Sequence, residues 1–212
     1  MRTQYYAAAS LDGFLATVDD GLDWLFPLAP LSETSFPAFV AEVGALATGS
    51  ATYAWILRNA TTVAAEAGSP WPYHQPTWVF THRTWPTPPG ADAGVSADVR
   101  FVSGDVRPVH AAMRAAAGDR KLWIVGGGDL ADQFFDAGLL DEIIVQVGSV
   151  TLGRGKPLFP RRALHPRLRL ASVHPMGPGM VELRYQVASA SEAEDVAAGS
   201  IGRRRRARVT RA

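Results

Sequence analysis

The chain has 212 residues, enough for one domain with a full hydrophobic core, and its 47% hydrophobic and 19% charged content are those of a soluble globular protein. It has no cysteine, which excludes disulfides, a thiolate metal site and a cysteine nucleophile. The net charge of +1 divides unevenly: Ser189 to Ala212 carries +3, from six arginines against Glu192, Glu194 and Asp195, and the first 188 residues carry −2, a slightly acidic body unlike a nucleic-acid-binding fold.

The N-terminal MRTQYYAAASLDG lacks a long apolar run, so no signal peptide is expected. No apolar stretch approaches the ~20 residues of a membrane span, and with the absence of cysteine this fits a cytoplasmic protein. QYYAAAS (Gln4 to Ser10) reads as a first strand. Residues 11–35, rich in Asp, Gly, Pro and Leu and carrying Trp24, read as a long ordered loop. The pattern then predicts a helix over 36–46, with Phe36, Phe39, Val40 and Val43 on one face and Pro37 tolerated in its first turn. ALAT (45–48) is a short strand, and Gly49 and Ser50 open a second helix, SATYAWIL. Thr61 to Pro76 reads as irregular, TWVFTH (77–82) as a strand, TWPTPPG as a loop and VRFV (99–102) as a strand. Asp105 caps a helix to about Ala117, with Val106, Val109 and Met113 inward.

Leu122 to Val125 is a buried strand, and Leu130, Phe134 and Ala137 mark one face of a helix that stops at Gly138. Gly126, Gly127 and Gly128 therefore form a strand-to-helix turn. Leu139 to Val147 is the next strand, pairing with late strands near Arg167 to Val173 and Met180 to Val187. Strands alternating with helices and then running together predict a largely parallel sheet flanked by helices, finished by an antiparallel hairpin. One domain is expected over 1–188. The small, polar and charged segment 189–212 is expected to be a disordered tail. Its RRRRAR run suits an anionic partner, but a solvated tail is the simpler reading, and no nucleic-acid partner is expected.

The glycine turn is the first candidate site. A helix start offers unpaired N–H groups and partial positive charge, and glycines let a pyrophosphate approach the backbone. GGGDLADQF matches neither G-x-G-x-x-G nor a P-loop, so the turn alone leaves packing and phosphate binding equally open. Asp129 would repel a phosphate it faced, and serves equally as a first-turn acid. The five histidines lack metal-ligand spacing, so no metal is expected, and no G-x-S-x-G suggests a nucleophilic serine.

Four segments carry a resemblance: AASLDGFLA at 8–16, TGSATYAWI at 48–56, LWIVGGGDLADQFFDAGLLDEI at 122–143 and VTLGRGKPLF at 150–159. In this order they resemble the dihydrofolate-reductase-like superfamily, in its branch built like the C-terminal reductase domain of the riboflavin-biosynthesis deaminase-reductase RibD. The resemblance spreads over nearly all of 1–188 and includes no deaminase domain. It implies an α/β, dihydrofolate-reductase-like fold, a homodimer, and NADPH bound across the carboxyl ends of the strands. Gly126, Gly127, Gly128, Asp129 and Leu130 would lie at the cofactor, with a cis peptide at Gly126–Gly127 or Gly127–Gly128. Gly49, Ser50 and Thr52 would contact its phosphates.

Relatives usually carry arginine where this chain has Ser50, and losing that charge-assisted contact costs about 1.5–3 kcal/mol unless replaced. His82 and Arg83 match a segment near the adenosine end, and Arg83 is able to restore the charge. On the substrate side Asp12 and Trp24 match positions at the site mouth, each equally readable as a turn aspartate and a loop anchor. Ala29 stands where folate reductases carry a carboxylate, which disfavours dihydrofolate. Arg154 and Lys156 suit an anionic substrate such as a ribosyl phosphate, or simple solvation. The implied activity is an NADPH-dependent reductase transferring hydride to a small polar C=N or C=O compound, such as a ribosylamino-pyrimidine. Reduction of a pterin or a xenobiotic carbonyl, and a nucleotide-binding module without catalysis, are the alternatives.

Overall fold

The computed structural model describes residues 1–88, 97–163 and 167–188. The tail expected at 189–212 and the end of the proline-rich loop lie outside the described residues. In chain order the elements are β1 (Thr3–Ser10), β2 (Phe14–Ala16), a 3-10 turn (Leu31–Glu33), α1 (Phe36–Ala41), β3 (Val43–Gly49), α2 (Ser50–Arg58), α3 (Ala60–Ala67), β4 (Thr77–Phe80), β5 (Val99–Val102), α4 (Val106–Ala117), β6 (Lys121–Gly126), α5 (Gly128–Asp136), β7 (Glu142–Gly148), β8 (Lys156–Pro157), β9 (Leu168–Met176) and β10 (Met180–Val187).

Eight strands form one sheet in the order β5-β4-β3-β6-β1-β7-β10-β9. The first six are mutually parallel, β10 runs antiparallel to β7, and β9 antiparallel to β10. The expected α/β architecture is thus observed, with β9 touching β10 rather than β7. Alternation along β1 sends Tyr5, Ala7 and Ala9 to the larger core, with Ile124, Ile143, Met113, Leu130 and Phe134. Tyr6 points the other way, into a smaller core with Leu46, Trp123 and Ile144. Phe39 of α1 closes that core, stacked on Tyr6 at 4.4 Å and edge-on to Trp123 at 5.4 Å.

Several boundaries differ from the sequence reading. The helix expected over 36–46 stops at Ala41, because Val43 is fully buried as the first residue of β3. Gly44 fixes that register: a Cβ there would lie 2.7 Å from Arg120 Cβ. The segment expected to be irregular from Thr61 contains α3, set off from α2 at Asn59 and ended by Gly68 at φ +76°. The strand expected to reach His82 ends at Phe80. β2 and β8, pairing Phe14 with Pro157 and Ala16 with Lys156, were not expected. No peptide bond among the described residues is cis, so both bonds of the glycine turn are trans, contrary to the resemblance.

Candidate active site

The connections decide where the sheet opens. From β3 the chain passes through α2 to β4 on one side, and from neighbouring β6 through α5 to β7 on the other. The carboxyl ends of β3 and β6 therefore flank a topological switch point, where open α/β sheets bind ligands. Both helices leaving it start on glycine, Gly49 for α2 and Gly127 for α5, and neither start is capped by a side chain. Their first N–H groups are left for another acceptor.

The three glycines of the turn answer to three constraints. A Cβ on Gly126 would come 3.1 Å from Thr52 Oγ1. Gly127 turns the chain at φ +69° and leaves open space where a side chain would stand. A Cβ on Gly128 would meet the carbonyl oxygens of Pro157 and Leu158 at 2.6 and 2.8 Å. Packing accounts for Gly128, and conformation and clearance for Gly127.

Two cavities meet here. The first, about 450 Å³, is lined by Gly126, Gly127, Gly128, Asp129, Thr52 and Trp55, and by apolar residues from β1, β2 and the loop after it. The second, about 500 Å³, is lined by Ser50, Arg58, His82, Arg83, Trp85 and Gln133 among others. α2 stands between them. Ser50, Ala54 and Arg58 face the second, Thr52 and Trp55 face the first, and Ala51 lines both.

The structure thus gathers Ser50, His82 and Arg83 around one cavity, and Thr52, Gly126, Gly127, Gly128 and Asp129 around the other. Gly49 lies behind the wall, its missing Cβ 3.7 Å from the Gly126 oxygen. Leu130 is a core residue, 4% exposed. Asp12 is exposed and outside both walls. Its carboxylate accepts hydrogen bonds from the Ser10 hydroxyl (2.6 Å) and the N–H groups of Leu152 (3.0 Å) and Gly153 (2.7 Å). These bonds hold its pKa below the ordinary aspartate value and clip the 150–155 loop to β1.

Trp24 also stands off the walls, while Leu22 and Leu25 of the same loop line the first cavity. That loop is seated on two glycines of the C-terminal half. A Cβ on Gly148 would lie 2.5 Å from Leu28 Cδ1 and 3.1 Å from the Trp24 ring, and one on Gly179 would lie 2.9 Å from the Leu28 oxygen.

Sequence reasoning missed three residues. Asp20, at φ +67°, has Lys156 Nζ at 3.4 Å and Arg58 Nη2 at 3.5 Å. Arg58 was legible, since Ser50, Ala54 and Arg58 recur every four residues along α2. Asp132 is buried on α5 with Oδ1 unpartnered. Burial pushes its carboxyl up to about 6; Arg161 opposes this, and Asp129 and Asp136 add to it.

The fold is an open α/β sheet with two cavities at its switch point, and comparison with known proteins gives its family. The RibD C-terminal domain family matches residues 3–182. The uncharacterized protein YwjB of Bacillus subtilis (strain 168) is 30% identical over 185 residues, covering 87% of this chain and 97% of YwjB. A protein of Shewanella sp. PV-4 provisionally assigned to riboflavin biosynthesis superposes with a TM-score of 0.72 at 24% identity, covering 88% of this chain and 99% of that one. The diaminohydroxyphosphoribosylaminopyrimidine deaminase/5-amino-6-(5-phosphoribosylamino)uracil reductase of Thermotoga maritima superposes at 0.57 and 13% identity, covering 88% of this chain and 56% of that one. The chain belongs to the RibD C-terminal domain family.

Proposed function

We propose that the protein is an NADPH-dependent reductase that transfers hydride to the carbon of a C=N or C=O group in a small polar compound, a ribosylamino-pyrimidine being the substrate suggested by resemblance. The observation that carries this reading is the pair of cavities meeting at Ala51 between two uncapped helix starts. Their size and extended arrangement suit a dinucleotide, and Gly127 leaves the clearance that close backbone approach needs.

The uncapped N–H groups of α2 and α5 would hold the pyrophosphate, with Thr52 beside them. Arg83, with His82 beside it, would hold the adenosine 2′-phosphate, supplying the charge that Ser50 lacks, while Arg58 on the same wall is paired with Asp20. When bound, NADPH supplies the hydride. Gly126 and Gly127 would admit the nicotinamide, while Leu15, Leu22, Leu25 and Trp55 exclude water from the reacting face. Among the described residues the ionisable groups of this wall are Asp20, Asp129 and Lys156; with Lys156 paired to Asp20, the proton that completes the reduction would come from water.

Two further parts of the proposal rest on other observations. A homodimer through β9, the outermost strand, is supported by Leu170 and Val173, which stand 52% and 49% exposed on one face of it. A cytoplasmic location is supported by the absence of cysteine. No helix among the described residues is long and apolar enough to cross a membrane.

The test is titration with NADPH and, separately, NADH, following the fluorescence of Trp55 and Trp85 on the two walls. Saturable micromolar NADPH binding, with NADH weaker by about tenfold or more, is the expected result. Absence of binding by either would overturn the reductase reading.

A further inference from the structure

We infer that the first cavity takes a planar, uncharged substrate without a phosphate group, in contrast to the phosphorylated compound named for the Thermotoga maritima enzyme. The inference rests on the reductase reading for the reaction; the binding argument stands on the wall itself.

His82 and Arg83 stand on the second cavity, and Arg58 lines it too but reaches Asp20 of the first. Among the described residues the first carries Asp20, Asp129 and Lys156, with Thr52 and otherwise apolar side chains or glycines. Both cations at this wall are committed to Asp20: Lys156 Nζ lies 3.4 Å from its Oδ1 and Arg58 Nη2 3.5 Å from its Oδ2. The other basic residues nearby add nothing to it. Arg161 is paired with Asp136 at 2.6 Å, and Arg154 lies outside the lining. Asp12, the polar group expected at the mouth, is spent on Ser10, Leu152 and Gly153.

A phosphate placed here would leave water and would have to displace Asp20 from both Lys156 and Arg58. Asp20 does not give way readily. It closes a turn with Thr17, whose oxygen accepts from the Asp20 N–H at 3.1 Å, while Thr17 Oγ1 accepts from the Gly21 N–H at 2.8 Å. A flat neutral ring instead finds Trp55, Leu15, Leu22, Leu25 and the glycine turn in the lining of one cavity. Reduction adds hydride to the carbon of the C=O or C=N group. The π electron pair moves to oxygen or nitrogen, which takes a proton from water, and NADPH becomes NADP⁺.

The test uses the full chain and calorimetric titration with three probes: 9,10-phenanthrenequinone as a planar neutral diketone, and uridine with uridine 5′-monophosphate as a pair differing by one phosphate. Adenosine 2′,5′-bisphosphate is kept present to occupy the second cavity. The expected result is micromolar binding of the quinone and about tenfold or greater disfavour of the monophosphate relative to uridine. D20N keeps the left-handed turn, which asparagine tolerates, and frees Lys156 and Arg58. It should narrow the uridine–monophosphate gap several-fold, and adding K156A and R58A together should restore it. Tighter binding of the monophosphate than of uridine by the native chain, abolished by K156A alone, would overturn the inference, as would failure of the quinone to bind. Failure of NADPH to bind, with the probe preferences intact, would instead overturn the reductase reading.

Discussion

At the residue scale the glycine turn separates two effects that a single motif hides. G128A puts a methyl group 2.6 Å from a backbone oxygen that has no rotamer to escape into. It should destabilise the protein by about 1–3 kcal/mol in urea denaturation. G127A meets no neighbour but forces a side chain into the left-handed region, costing about 1–2 kcal/mol, and should weaken NADPH binding as well. Asp132 gives a pH-dependent prediction. Its carboxyl titrates near 6 in the folded chain against an ordinary 3.8. Well below its ordinary 3.8 it is protonated in both states, and burying the neutral carboxyl costs least. As pH rises through 6 the unfolded chain binds fewer protons than the folded one, and stability falls. D132N should therefore gain on the native protein by up to about 2–3 kcal/mol between pH 4 and 7, read from denaturation curves across that range. A gap independent of pH would show that the carboxyl is not raised.

At the element scale α2 divides the site, and the cavity on its Ser50 side makes paired predictions. R83A should weaken NADPH binding and leave NADH nearly unchanged, while S50R should strengthen NADPH by about tenfold; paired titrations read both. The sequence shows some elements plainly and hides others. α5 and α4 carry clear apolar stripes, and Asp105 caps α4 by accepting from the Arg107 N–H at 3.0 Å. The α1–β3 boundary is hidden because Val43 suits both a helix face and a buried strand. α3 is hidden because the apolar stripe of ATTVAAEA is alanine but for Val63, and no residue of it is fully buried. β2 and β8 are too short to show a period. Two of the four site segments were legible because glycine precedes a helix start, at Gly49 and Gly127; the other two, 8–16 and 150–159, carry glycine turns beside the paired strands β2 and β8. Asp20 with Arg58 and Lys156 was not, since pairing between distant charges leaves no local pattern.

At the scale of the whole molecule, β9 ends the sheet with an apolar stripe toward solvent. V173K or L170K should convert a dimer to a monomer in light scattering, with the fold retained, because both side chains are already half exposed. A monomeric native chain would refute the dimer. The seat of the cavity roof has a consequence for synthesis. Trp24 and Leu28 leave the ribosome early, but their footing on Gly148 and Gly179 emerges only with β7 and the C-terminal hairpin. At ordinary elongation rates that delay is on the order of ten seconds. The nascent chain must hold an apolar, unseated N-terminal loop throughout it, so this loop is where a holding chaperone would engage.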